Sequence, residues 1–257
     1  MALQPASPRP QATRYRPQAG SVDATIRRAQ SAWAKVKTLR ASFDQSITNP
    51  ITGSAMVSKG TLQQSKPNKL AISFIDPAGD RIVADGKFVW VFLQSATPGQ
   101  VLKLSNTDVG AASTDLIGQF LSTPRSKYDA TDAGTDKVNG RSARALVLTA
   151  KAGQQLPFIR AKVWVDSADA LIRQFESTDA NGITRKVTIN SLSPNASVPG
   201  DAFVFQVPSG VGVLERRPPA PRARALRAPI RAPPPSRSYR PRGWRSASPR
   251  WRIPRTP

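Results

Sequence analysis

The sequence predicts an α+β fold in which one large antiparallel sheet is covered by one or two short helices. Three features point to it: a helical apolar stripe near the start, a long series of short segments alternating with period two, and turn dipeptides between those segments. Charge marks out where the folded part lies. Of the formal net charge of +22, residues 216–257 supply 13 Arg with no Lys and no acidic residue, and residues 1–20 supply three Arg. The remainder, 21–215, has 22 basic and 16 acidic residues, a net of +6 that is unexceptional for one folded domain.

From Ser21 to Arg40 the residues Ile26, Ala29, Trp33, Val36 and Leu39 recur every three or four positions, which places one apolar stripe on a helix with Asp23 as its N-cap. From Ala41 the period changes to two. Strands are expected near 41–48, 55–64, 69–75, 80–84, 87–93, 99–104, 126–131, 143–150, 160–166, 170–178, 183–192 and 202–207. Asp85-Gly86 and Asn181-Gly182 fall between such runs, where a tight turn needs residues that tolerate positive φ, so neighbours pair antiparallel and the sheet is a meander. Ser113 to Ser122, containing Leu116, Ile117, Phe120 and Leu121, is a second helical segment that ends before Pro124.

Some strands are apolar on both faces. Phe88, Trp90 and Phe92 point one way while Val89, Val91 and Leu93 point the other, and Ile72 and Phe74 alternate with Ala71 and Ile75. The helices account for one face, and further protein or an apolar cavity must lie against the other. Periodicity alone does not distinguish a filled interior from a hollow one.

Cysteine and histidine are both absent, which removes disulfides, thiolate and imidazole metal ligands, and every nucleophile activated by a Cys–His or Ser–His pair. The acidic residues fall mostly in turns, as in Asp76-Pro77, Asp85-Gly86 and Asp166-Ser167, where bonding to the backbone explains them. With no P-loop, G-x-G-x-x-G or G-x-S-x-G, an enzyme is not expected, nor is a cofactor or metal. No apolar run is long enough for a spanning helix, so the chain reads as soluble, and residues 1–20 have no apolar core of an export signal. That segment is expected to be disordered and reads as a misplaced start. The tail 216–257 holds 11 Pro and 13 Arg in 42 residues and is also expected to be disordered. It is either a surface for nucleic acid or anionic lipid, with Tyr239, Trp244 and Trp251 for stacking, or a segment foreign to the domain such as a frame-shifted read-through.

Four segments carry a resemblance. Val36-Lys-Thr-Leu39-Arg-Ala-Ser-Phe43-Asp-Gln45 leaves the first helix and ends in F-x-Q. Gly60-Thr-Leu-Gln-Gln-Ser-Lys66-Pro67-Asn-Lys-Leu70-Ala-Ile72 is similar to G-x-L-x-x-x-R-P-x-x-F-x-W. Val83-Ala-Asp85-Gly86-Lys87-Phe-Val-Trp90-Val-Phe92 is similar to V-S-D-G-K-x-x-W-x-Y, and Asp201-Ala-Phe203-Val-Phe205-Gln-Val-Pro208-Ser-Gly210-Val211 to F-x-F-x-x-P-x-G-V. In this order they resemble the LolA family of periplasmic outer-membrane lipoprotein carriers, over residues 21–215.

The resemblance implies a strongly curved antiparallel half-barrel whose apolar concave face is closed by a lid of helices, the architecture shared by LolA and LolB. It implies a periplasmic chaperone that holds lipoprotein acyl chains, receives them from an ATP-driven inner-membrane extractor and passes them to an outer-membrane receptor. The cavity wall would be Leu70, Ile72, Phe88, Trp90 and Phe92, with Leu116, Phe120 and Trp33 from the helices. Where the family has an arginine that ties the lid, this chain has Lys66, a single-point donor in place of a planar fork; it is either the latch or a solvated strand-end lysine. Leu70 and Ile72 replace the family's aromatic positions. A monomer is expected, and nucleic acid is not the expected partner. A lipid-binding sensor or a glycolipid carrier on the same fold is the alternative.

Overall fold

The computed structural model describes residues 19–106, 115–123, 125–154 and 156–215. Helix α1 spans Ala19–Ala34, and the first six strands are β1 Thr38–Thr48, β2 Ala55–Ser65, β3 Lys69–Asp76, β4 Arg81–Asp85, β5 Phe88–Phe92 and β6 Gln100–Ser105. A short helix, α2, covers Gln119–Ser122. The remaining strands are β7 Tyr128–Val138, β8 Arg141–Ala150, β9 Arg160–Asp166, β10 Ile172–Thr178, β11 Thr184–Pro194 and β12 Gly212–Glu215. Residues 1–18 and 216–257, and the start of the second expected helical segment at 113–114, lie outside the described residues.

All twelve strands join in one sheet, in the order β12-β6-β5-β4-β3-β2-β1-β11-β10-β9-β8-β7. It is two antiparallel meanders, β1 to β6 and β7 to β11, zipped together where β1 pairs with β11 from Leu39↔Pro194 to Thr48↔Thr184. The sheet curls into a half-barrel, and α1 and the 115–123 segment lie over its concave side. There Ile26, Ala29 and Trp33 of α1 and Phe120 of α2 join Leu39, Leu62, Leu70, Leu146, Val163 and Phe175 of the strands in one buried cluster. Turn chemistry sets the register as expected. Gly86 (φ 103°) and Gly182 (φ 79°) take up the left-handed backbone of the two hairpins that Asp85-Gly86 and Asn181-Gly182 marked.

Several boundaries differ from expectation, among them the strand expected at 126–131, which runs as Tyr128–Val138, and the second helical segment, which is helical only over Gln119–Ser122 among the described residues. The helix runs from Ala19 to Ala34 rather than from Ser21 to Arg40, so Asp23 is inside it and pairs with Arg125 at 2.9 Å instead of capping. Val36 and Leu39 are buried, yet they sit in the connection and on β1, where alternation happens to coincide with the helical phase. The expected strand at 202–207 is a 3₁₀ turn, Gly200–Phe203, followed by unpaired chain that crosses the convex face of the sheet. Alternating Phe203 and Phe205 record burial on one side, which a chain lying on the face of a sheet needs as much as a strand within it. The closing strand is instead β12, parallel to β6.

Candidate functional site

The concave face is not completely filled. Between it and the 115–123 segment lies a cavity of about 570 Å³, a volume typical of small-molecule sites. β1 contributes Phe43, Gln45 and Ile47, β2 Leu62, β3 Leu70, Ile72 and Phe74, and β4 Ile82. From the other meander come Phe175 and Ser177 of β10, Asp179 and Ile183 of the turn, and Arg185, Val187 and Ile189 of β11, while Leu116, Ile117 and Gln119 close it from above. The wall is therefore chiefly aliphatic and aromatic. On the sheet side Phe43 meets Phe74 edge-on at 6.0 Å.

The expected wall residues separate into three groups. Leu70, Ile72 and Leu116 line the cavity. Phe120 lies beside it, packed at 4.9 Å on the wall residue Phe175 and at 5.5 Å on Phe158, and Trp33 belongs to the lid. Phe88, Trp90 and Phe92 are not brought to the cavity at all. They face the convex side, where Trp90 stacks on Phe205 at 5.5 Å and Phe92 meets it at 5.7 Å, while Phe88 contacts Trp90 edge-on at 6.2 Å. It is Val89 and Val91 that turn inward. The reason is register: Val89 lies opposite Ala84, and Ala84 opposite Leu70, so these three share the concave face.

Lys66, between β2 and β3, reaches the end of α1. Its ammonium donates to the carbonyl oxygen of Trp33 at 2.7 Å and lies 4.2 Å from the centre of the Trp33 ring. That carbonyl belongs to the last turn of α1, where it also accepts the Val36 N–H at 3.1 Å and the helix dipole is negative. Burial lowers the Lys66 pKa from its usual value, and the negative charge of Asp115 works against that shift. The same tryptophan donates from Nε1 to Asp115 Oδ2 at 3.1 Å, and Asp115 Oδ1 accepts the Gly118 N–H at 2.8 Å. Gln30 adds a hydrogen bond to the Leu121 carbonyl at 2.9 Å. Hairpin, helix and lid segment thus meet at Trp33.

Most of the wall was not singled out from sequence, namely Phe43, Ile47, Leu62, Phe74, Ile82, Phe175, Ile183, Arg185, Val187 and Ile189. The signal was present in the turns. Once Asn181-Gly182 sets Thr178 opposite Thr184, Phe175 falls opposite Val187, and both face the same way. Among the described residues, no group of three or more His, Cys, Asp or Glu could hold a metal, and no helix is long and apolar enough to cross a membrane. What the arrangement can do is enclose an apolar chain.

The family model described as outer membrane lipoprotein carrier protein LolA matches residues 34–206. An outer-membrane lipoprotein carrier protein of Albidiferax ferrireducens is 28% identical over 188 residues, 70% of this chain and 86% of that protein. The carrier protein of that name in Bordetella pertussis is 30% identical over 185 residues, 71% of this chain and 82% of the relative. Among solved structures, an uncharacterized conserved protein from Thermus thermophilus has a TM-score of 0.47 at 13% identity, covering 76% of this chain and 98% of its own. The Mycobacterium tuberculosis lipoprotein LppX also has a TM-score of 0.47, at 12% identity, covering 71% of this chain and 100% of its own. With a match that spans more than half of its length and runs from the end of α1 to the residues that cross the convex face, the chain belongs to the LolA family.

Proposed function

We propose that this protein is a non-enzymatic lipoprotein carrier that acts in the periplasm, with lipoprotein acyl chains held in the 570 Å³ cavity and the contact at Trp33 as the latch of the lid. The observation that carries the reading is an apolar cavity beneath the 115–123 segment. Burial of each methylene is worth about 0.8 kcal/mol, so long acyl chains do not leave a bilayer for water unaided, and a carrier must replace most of that burial. It must also let go. A lid that packs Ile117, Phe120 and Leu121 against the sheet and is tied at Trp33 covers the same apolar wall that cargo would cover, so closing the empty cavity competes with filling it. In this scheme an ATP-driven extractor in the inner membrane supplies the cargo and a receptor at the outer membrane takes it. Family membership and the names of the relatives support the scheme.

The test is release. The chain, exported behind a signal peptide together with its matched extractor, is expected to bring acylated lipoprotein from spheroplasts into the soluble fraction. Phe74→Asp, which places a charge on the half-buried cavity wall, should abolish release while leaving the protein folded. A folded protein that releases nothing, or a Phe74→Asp protein that releases as much as the parent, contradicts the carrier reading. Co-purification of a lipid other than lipoprotein would move the function to a sensor or glycolipid carrier.

A further inference from the structure

The cavity changes character along its length. Near Lys66 its wall is Leu62, Leu70 and Ile72, whereas further along β1 and across the seam it meets Gln45, Ser177, Asp179 and Arg185. Arg185 is opposite Ile47 on one side and Ser177 on the other. It is half-buried, and among the described residues no hydrogen bond, ion pair or ring contact engages its guanidinium. The carboxylate in the same wall is held to its own turn through Oδ1. Asp179 accepts the backbone N–H groups of Asn181 at 2.8 Å and Ile183 at 3.0 Å, and it makes no ion pair with Arg185. Gln45 is likewise turned to Ser58, at 3.1 Å. Burial pushes the Arg185 pKa down from its usual value, but a guanidinium remains charged at neutral pH.

A charge in this position is costly to the empty protein, because it is partly withdrawn from water without a counter-ion. Unlike Arg185, the arginines that approach buried carboxylates are paired: Arg144 with Asp132 at 2.8 Å, Arg173 with Asp166 at 3.4 Å, and Arg141 with Asp166. Arg185 alone among these sits in the cavity wall, with its five N–H donors in a fork that matches a carboxylate or phosphate. We propose that Arg185 forms an anion-binding end of the cavity, so that the preferred ligand is an amphiphile whose acyl chain lies along Leu62, Leu70 and Ile72 and whose carboxylate or phosphate rests on the guanidinium. The inference rests on the carrier reading in one respect, that the cavity accepts an acyl chain. It adds the chemical class of the group at the head of that chain.

Titration calorimetry of the full chain with dodecanol, dodecanoate and dodecyl phosphate, each below its aggregation concentration, separates the two claims. Dodecanol reports the apolar cavity alone. Both anions are expected to bind about tenfold or more tightly than dodecanol, as a charge-assisted hydrogen bond allows. Arg185→Gln should weaken both anions about tenfold while leaving dodecanol unchanged, and Arg185→Lys should retain part of the anion affinity. The Arg-rich residues 216–257 are common to parent and variants, so any contribution they make cancels in the comparison of parent with variant. Whichever anion binds more tightly tells a carboxylate head from a phosphate one. Equal affinity of all three ligands for the parent, or a preference that Arg185→Gln leaves undiminished, overturns the assignment and leaves the cavity reading standing. Failure to bind dodecanol or either anion overturns both. A second readout guards against a structural role: without ligand, Arg185→Leu should unfold at the same or a higher temperature than the parent, and a clear fall would mean that the guanidinium holds the fold together.

Discussion

Asp166 ends β9, and its side chain is only 1% exposed, yet it is charged. Burial alone would raise its pKa. The hydrogen bond from Arg141, the backbone N–H groups of Ala168 and Asp169 and the nearby Arg141 charge together outweigh burial and hold the pKa at about 2. A folded-state pKa below the unfolded value stabilises the protein above the unfolded pKa, and that stabilisation is lost as pH falls through the folded one. Here the loss falls between about pH 4 and pH 2 and amounts to about 2 kcal/mol. Urea unfolding of the parent and of Asp166→Asn should show the parent's advantage at pH 6 and its disappearance near pH 2; an advantage that is the same at both values rules this account out. Individual residues were unevenly legible in the sequence. The resemblance implies as cavity wall both Leu70 with Ile72 and Phe88 with Trp90 and Phe92. The two sets exclude each other, since Leu70 lies opposite Ala84 and Ala84 opposite Val89, which leaves Trp90 on the other face with Val83. Alternation within one doubly apolar strand does not determine which of its sides meets the lid; the cross-strand register does. The unpartnered state of Arg185 was not legible either, because it depends on neighbours from a strand far away in sequence.

The elements that would open are α1 and the 115–123 segment, joined through Trp33 to Asp115 and through Trp33 to Lys66. Lys66→Ala removes one charge-assisted hydrogen bond and one ring contact, for a stability cost of about 1 kcal/mol. Hydrogen exchange should report it as faster exchange confined to the end of α1 and to residues 115–123, with the strands unchanged. Lys66→Arg should restore protection, because a guanidinium can reach the same carbonyl and lie flat on the indole. Uniform acceleration across the sheet, or none in these segments, would remove Lys66 from the latch. At this scale the sequence was most informative where local chemistry decides. The Asp85-Gly86 and Asn181-Gly182 hairpins follow from the turn they need, and the first helix from its stripe. It was least informative where partners decide. Residues 200–207 alternate like a strand and lie across one, and β12 is too short and too ordinary in composition to announce a parallel pairing with β6.

For the whole molecule, we propose that the folded unit ends with β12 and that residues 216–257 contribute no stability. Their 13 Arg account for much of the charge, so that removing them lowers the formal net charge from +22 to +9. Thermal unfolding of the shortened protein should have the same midpoint as the full chain, while its binding to cation-exchange resin should weaken sharply. A lower midpoint would show that the tail packs on the domain. The pairing of β1 with β11 has a further consequence, in time rather than in space. The first strand completes its ladder only with nearly the last, Leu39 with Pro194, so a chain emerging from the N-terminus cannot close the half-barrel until almost all of it is available. Until then Phe43, Leu62, Leu70 and Ile72 form an open greasy trough with an unsatisfied strand edge beside it. The surface that would hold a lipid in the proposed carrier is thus the one through which unfinished copies would aggregate, and a carrier of this kind would need shelter of its own before it could give any.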